Sequence, residues 1–330
     1  MSEYADLILL SNCIFTATEE IPFSGYIAIK NDRILSIGKG LAPTELIGTN
    51  TKYLDYGNKT ITPGFSDVHC FFTGYSVGFV GIDLSAATSQ EDILNSIKEY
   101  AKGIPADKPI LGHGWNSDTI QPDGTDLLDE AFSTRPVLLF AKGCETCWMN
   151  QVAINRHSIT DLEFSDPTDL ERMGKLGVIA EIYPQIQSIA NRKDKLAMIE
   201  EKIGMDRGQY YWNRRKMADS NVLLSCGTDL PLLIDDIPES IYHAVGGYFP
   251  EGGEPFNKQN MLTIPELLTA WSAGGAYNLY QEKELGTLEK GKKADIVVFD
   301  GNLFETAIEE IRSRKVEVTF LNGRIVYSHE

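Results

Sequence analysis

Thr62-Pro63-Gly64-Phe65-Ser66-Asp67-Val68-His69-Cys70-Phe71 is the stretch on which the fold turns. Pro63-Gly64 is a turn signal set inside a run, Thr60 to Cys70, that otherwise reads as a strand. A period of two places Asp67, His69 and Phe71 on one face and Val68 and Cys70 on the other. A histidine at the carboxyl end of a parallel strand, pointing into a barrel, can bind a metal or polarise a substrate. A satisfied structural histidine is the alternative for His69 taken alone.

Downstream of this stretch, strands alternate with amphipathic helices, which predicts βα units and a parallel sheet. Strands are expected at Pro109 to Gly114, Pro136 to Lys142, Gly177 to Tyr183 and Val222 to Gly227. A helix is expected over Gln90 to Ala101, capped by Ser89 and with Glu91 and Asp92 in its first turn. Another is expected over Ile264 to Tyr280, with Thr263 as cap and Pro265 in the first turn. Residues 61–284 approach the roughly 250 of a typical (β/α)8 barrel, yet only five strands are found and Pro184 to Ser220 offers none. The expectation is an α/β chain with an incomplete TIM-like barrel.

Upstream, Leu7 to Leu10, Cys13 to Thr16, Tyr26 to Lys30 and Ile34 to Ile37 read as short strands, with Asn31-Asp32 as a hairpin turn. The chain end repeats the pattern at Asp295 to Phe299 and Val316 to Leu321, and Asn322-Gly323 is a hairpin signal before Arg324 to Tyr327. Neither end has enough strands to bury a face. Together, residues 1–60 and 285–330 are expected to form one composite β-sandwich, and residues 61–284 the barrel.

Composition removes other classes. Thirty Lys and Arg stand against 47 Asp and Glu, and a formal charge of −17 repels nucleic-acid phosphates and anionic lipid. No run reaches the roughly 18 apolar residues of a membrane span, and Glu3 and Asp6 occupy the place of a signal peptide's basic residues. Five scattered cysteines give no disulfide framework. A cytoplasmic protein acting on a small molecule is expected.

Thr62 to His69 resembles the first barrel strand of the amidohydrolase superfamily, Pro-Gly-(Phe/Leu)-(Ile/Val)-Asp-x-His-x-His. Leu285 to Asp300 is similar to that family's return into its β-sandwich, and Leu224 to Pro231 to its last barrel strand. Gly81 to Ser85, Gly112 to Trp115, Arg135 to Asn150 and Asp169 to Ala180 look like the branch that includes N-substituted formamide deformylases. The resemblance implies a divalent metal, zinc in the first instance, held by His69 and Asp229, with Asp229 also the catalytic proton acceptor. His113, Trp115 and Phe71 are the residues expected to contact substrate. For Asp229 the alternative is a helix cap before Leu230-Pro231.

The departures are equally specific. Position 71, where the family has the second histidine of its pair, holds Phe71, which cannot coordinate a metal. Cys70 points the other way. Asp161 stands where a family histidine is expected, and a long middle section is missing. The leading reading is a metal-dependent hydrolase of a non-peptide carbon–nitrogen bond. Its rival is a shortened relative that binds without catalysing, or has no activity, and the exposed edges of an incomplete barrel suggest a homodimer. Cys144-Glu145-Thr146-Cys147 has redox or zinc spacing, but no second pair follows and chance placement is the simpler account.

Overall fold

The computed structural model describes residues 4–69, 81–122, 124–142, 147–154, 162–229 and 236–329, with the backbone alone at 158–159. The amino-terminal strands are β1 (Leu7–Ile14), β2 (Phe23–Lys30), β3 (Arg33–Lys39), β4 (Lys52–Asp55) and β5 (Thr60–Pro63). Then come β6 (Ile82–Asp83), β7 (Ile110–Trp115), β8 (Val137–Ala141) and β9 (Cys147–Met149), followed by β10 (Ser158–Ile159), β11 (Ile179–Ile182) and β12 (Leu223–Cys226). The chain closes with β13 (Ile296–Phe299), β14 (Val316–Leu321) and β15 (Arg324–Ser328).

Both chain ends join, but in one hydrogen-bonded ladder and not in two separate sheets. Its order is β15-β14-β13-β5-β1-β2-β3, with β4 beside β1. The sheet curls until its two sides meet: Arg33 bridges Lys293, Ile34 N donates to Lys292 O at 2.9 Å and Ala294 N to Asp32 O at 2.8 Å. Alternation along β13 explains how one sheet serves two cores. Ile296 and Val298 join Leu9, Ile27, Ile29 and Phe320 inside the curl, whereas Val297 and Phe299 join the helices and β12 outside it. Asn31, Asn322 and Gly323 all have positive φ (55°, 52° and 73°), the backbone that tight hairpin turns demand.

The parallel strands fall into two groups. In one, β6, β7 and β8 run parallel and β9 returns antiparallel; in the other, β10, β11 and β12 are parallel. Among the described residues no ladder joins the groups. Each carries its own helical cover. Ser89 accepts from Asp92 N at the start of the Gln90–Tyr100 helix, whose Ile93 and Ile97, one turn apart, sink into a core with Val137, Leu139 and Trp148. The Pro167–Leu176 helix begins at Asp166, ends at Gly177 (φ 68°) and buries Leu170 and Met173 against β12. Pro184 to Ser220, where no strand is expected, is indeed helical, at Arg192–Lys202, Met205–Gly208 and Arg214–Asp219.

Two expectations need correction. The strand predicted over Thr60 to Cys70 belongs to the end sheet and stops at Pro63, where its partners run out: β1 pairs only Thr60 and Ile61 with it, and β13 begins at Ile296, opposite Pro63. From Gly64 to His69 the chain is irregular. The helix expected over Ile264 to Tyr280 is interrupted: Ile264–Thr269 is α-helical, Ala270–Gly274 widens into a π-helical turn and Gly275–Asn278 resumes. The neighbours pack so closely here that only glycine fits at two positions. A Cβ at Gly274 would lie 1.9 Å from Leu224 O, and one at Gly275 would lie 2.8 Å from Ser66 Cβ and from Ser66 O.

Candidate active site

The irregular Gly64–His69 segment is laid against β12 by its backbone. Val68 N donates to Cys226 O at 3.2 Å, and Asp229 N donates to His69 O at 2.8 Å. The Asp67 carboxylate fastens the same junction, accepting from His69 N and Thr228 N at 3.1 Å each and from Thr228 Oγ1 at 2.5 Å. Asp67 therefore does not share a face with His69 as a regular strand would dictate. It is the staple, and His69 is the group it aims.

The His69 ring lies between two carboxylates. Its Nδ1 is 2.8 Å from Glu181 Oε1 and its Nε2 is 3.3 Å from Asp229 Oδ1. Glu181 is buried, with its side chain 4% exposed, whereas the His69 and Asp229 side chains are 40% and 21% exposed. The site is open on the Asp229 side and closed on the Glu181 side. Tyr183 sets its ring edge against His69, 5.4 Å between centroids and at 73°. Asp229 adopts the left-handed backbone (φ 55°), a conformation tolerated by Asp and frequent at functional sites. Gly227 leaves room for all of this, since a Cβ there would fall 2.6 Å from His69 Cβ.

Behind the site the charges are buried. Arg214 donates to Tyr183 O at 3.2 Å and Gln187 Oε1 at 3.3 Å, and burial lowers its pKa to about 10. Burial also holds the Cys226 thiol well above its ordinary pKa, so it stays protonated. Lys195 is held by Glu163 at 3.2 Å and lies over the rings of Tyr211 and Trp212.

His69 and Asp229, the two residues assigned as ligands, are thus brought together, 160 positions apart in the chain. Imidazole nitrogen and carboxylate oxygen suit a divalent ion of the zinc type. Their 3.3 Å separation matches two neighbouring ligands with bonds of about 2.0 to 2.2 Å. The pair fits one edge of such a site. Glu181 approaches the opposite ring nitrogen, so it buttresses the ring and does not add a third ligand. Among the described residues no group of three His, Cys, Asp or Glu converges on one point. Phe71, Asp161, Cys70 and Cys144 lie outside the described residues.

The other assigned residues sit in the β6–β9 sheet. His113 is half-buried on β7. Trp115 is fully buried among Leu139, Val137 and Trp148, and its indole N–H donates to Leu139 O at 2.9 Å. It is a core residue and not a pocket wall, because both its ring and its polar atom are already satisfied. Glu181 is the residue the sequence reading missed. The signal was present: a carboxylate inside the apolar run Ile179-Ala180-Glu181-Ile182 is the kind of buried polar exception that calls for a partner.

Comparison with known proteins places this geometry. The chain is similar to a structure titled an uncharacterized metal-dependent hydrolase from Pyrococcus horikoshii OT3, with a TM-score of 0.54 at 13% identity over 92% of this chain and 99% of that one. That likeness concerns the fold. In sequence it is 31% identical over 130 residues to YtcJ of Bacillus subtilis, covering 38% of this chain and 25% of that protein. It is 23% identical over 167 residues to the imidazolonepropionase of Shouchella clausii, covering 49% and 30%. The chain spans about a quarter to a third of the length of these curated relatives. The amidohydrolase family matches at residues 52–163 and 148–327, most of the chain and every residue of the His69–Glu181–Asp229 cluster, so the chain belongs to the amidohydrolase family.

Proposed function

We propose that this chain is a metal-dependent hydrolase acting on a carbon–nitrogen bond other than a peptide bond, in a small-molecule substrate. The observation that carries the reading is the approach of His69 Nε2 to Asp229 Oδ1, 3.3 Å, on the open side of the cluster. Family membership supports hydrolysis as the chemical class; the fold by itself would not. A divalent ion held by His69 and Asp229, zinc in the first instance, would supply Lewis-acid polarisation of the substrate carbonyl and activation of water there. His69 offers Nε2 toward that position. Asp229, partly exposed and fixed through its own N–H, accepts a proton from the attacking water at a carboxylate oxygen and returns it to the leaving nitrogen. Such general acid–base work contributes roughly 10² to 10⁴-fold.

A second reading, a shortened relative that binds without catalysing, is favoured by Phe71 in place of a histidine and by the two-donor edge. One experiment separates the two. The purified protein, grown with zinc and manganese supplied, is analysed for metal and assayed against N-acyl and N-formyl amines and cyclic imides. The hydrolase reading expects about one divalent ion per chain and an activity that Asp229→Asn lowers by roughly 10² to 10⁴-fold with an unchanged melting curve. Negligible metal together with no metal-restored hydrolysis overturns it in favour of the binding protein.

A further inference from the structure

We infer that Glu181 is a positioning residue that holds the His69 ring with its proton on Nδ1, leaving Nε2 to face Asp229. The inference deepens the hydrolase reading, in which His69 works through Nε2, and it rests on geometry that reading does not use. β11 alternates: Ala180 and Ile182 enter the apolar core with Cys226 and Leu224, while Glu181 and Tyr183 face the other way, toward His69. An ionised carboxylate buried in a strand of Ile and Ala is costly unless a donor meets it. The Tyr183 hydroxyl donates to Glu181 Oε1 at the long distance of 3.5 Å, and the short contact, 2.8 Å, arrives from His69, 112 positions away.

Two contacts then set two different degrees of freedom. The Glu181 carboxylate accepts the Nδ1 proton and fixes the tautomer, and the Tyr183 ring edge fixes the tilt about the Cβ–Cγ axis. Asp229 cannot substitute for Glu181 in this, because it sits at the other nitrogen, at the longer distance of 3.3 Å, and is more exposed. The asymmetry between a short, buried contact at Nδ1 and a longer, open one at Nε2 is what orients the ring. Gly227 admits the arrangement, since any side chain there would displace His69 from between the carboxylates.

The test reads the tautomer directly. The protein is labelled with ¹⁵N-histidine, and two-bond ¹H–¹⁵N correlations are recorded at alkaline pH, with the His69 signals assigned by their loss in His69→Gln. The wild type is expected to show a protonated Nδ1 with a low-field proton. Glu181→Leu is expected to lose that proton signal and move to the Nε2–H form. Glu181→Gln, closer in shape and a safeguard should the leucine variant fail to fold, is expected to shift the Nδ1 proton upfield, because a neutral amide is a weaker acceptor than a carboxylate. Zinc affinity, measured by calorimetry with the metal alone, should fall about 10- to 100-fold in Glu181→Leu. A wild type with the proton on Nε2, or variants whose His69 spectrum matches the wild type, overturns the inference. Failure of the hydrolase reading looks different: no zinc uptake by the wild type, with the tautomer spectra still deciding the role of Glu181.

Discussion

A methyl group at Gly227 would stand 2.6 Å from His69 Cβ, closer than any packing allows. Gly227→Ala is therefore expected to drive His69 out from between Glu181 and Asp229 and to lower the stability by about 1 to 3 kcal/mol, the range for overpacking a filled site. The check is a thermal melt together with zinc binding: a variant with wild-type Tm and affinity would show that the ring does not need that gap. The residue scale is also where the sequence was most and least legible. His69 and Asp229 could be named because turn and strand signals, with a family pattern, mark both places. Glu181 could not, since its partner comes from a segment distant in the chain and only the folded backbone puts them together. Trp115, expected to contact substrate, lies in a core for a reason of the same kind: only packing with Leu139 and Trp148, distant in the chain, buries it.

The Ile264–Asn278 helix is bonded to the segment that leads to His69, with Ser66 N donating to Trp271 O at 2.8 Å. It starts with a reciprocal cap, Thr263 with Glu266, and Glu266 also takes two hydrogen bonds from Arg215, at 2.7 and 2.5 Å. Thr263→Ala should cost about 1 kcal/mol, the ordinary value of a lost cap, and Glu266→Ala more, because it removes both the cap and a bidentate ion pair. Urea denaturation of both variants measures the order. Equal losses would mean that Arg215 contributes nothing at this exposure. The start of this helix was readable from Thr263-Ile264-Pro265-Glu266 alone. Its π-helical turn was not, and the close approach of the Leu224 carbonyl to Gly274 comes from a strand distant in the chain. The strand from Thr60 failed similarly: alternation continues past Pro63 in the sequence, but its partners β1 and β13 do not extend beyond that point.

At the scale of the whole molecule, acid sensitivity follows from a histidine outside the site. His243 is fully buried, bonded through Nδ1 to Tyr248 O at 2.8 Å and close to Glu239, and burial pushes its pKa below the usual value despite both contacts. The unfolded chain takes up a proton near pH 6.5 that the folded chain resists, so this contribution is intact above about 6.5 and is lost as the pH falls below it. The Tm is expected to fall as the pH drops below about 6.5, and His243→Gln should flatten that slope. A second expectation concerns association. Among the described residues β15, with Ile325, Val326 and Tyr327 exposed, ends the large sheet and leaves a strand edge that favours pairing between copies. Light scattering should find a dimer, and a stable monomer with a cooperative melt would count against it. No helix among the described residues is long and apolar enough to cross a membrane.

The end sheet has one more implication, for how the protein comes into being. β5 is held on one side by β1, close by in the chain, and on the other by β13, with Thr62 and Val297 separated by 235 positions. As the polypeptide leaves the ribosome, β1 to β5 emerge early and must wait, with Ile61 and Leu9 unprotected, until β13 has followed them out. Completion of this sheet is thereby delayed and slow, governed by a long loop closure, and expression at lowered temperature or with abundant chaperone should raise the soluble yield.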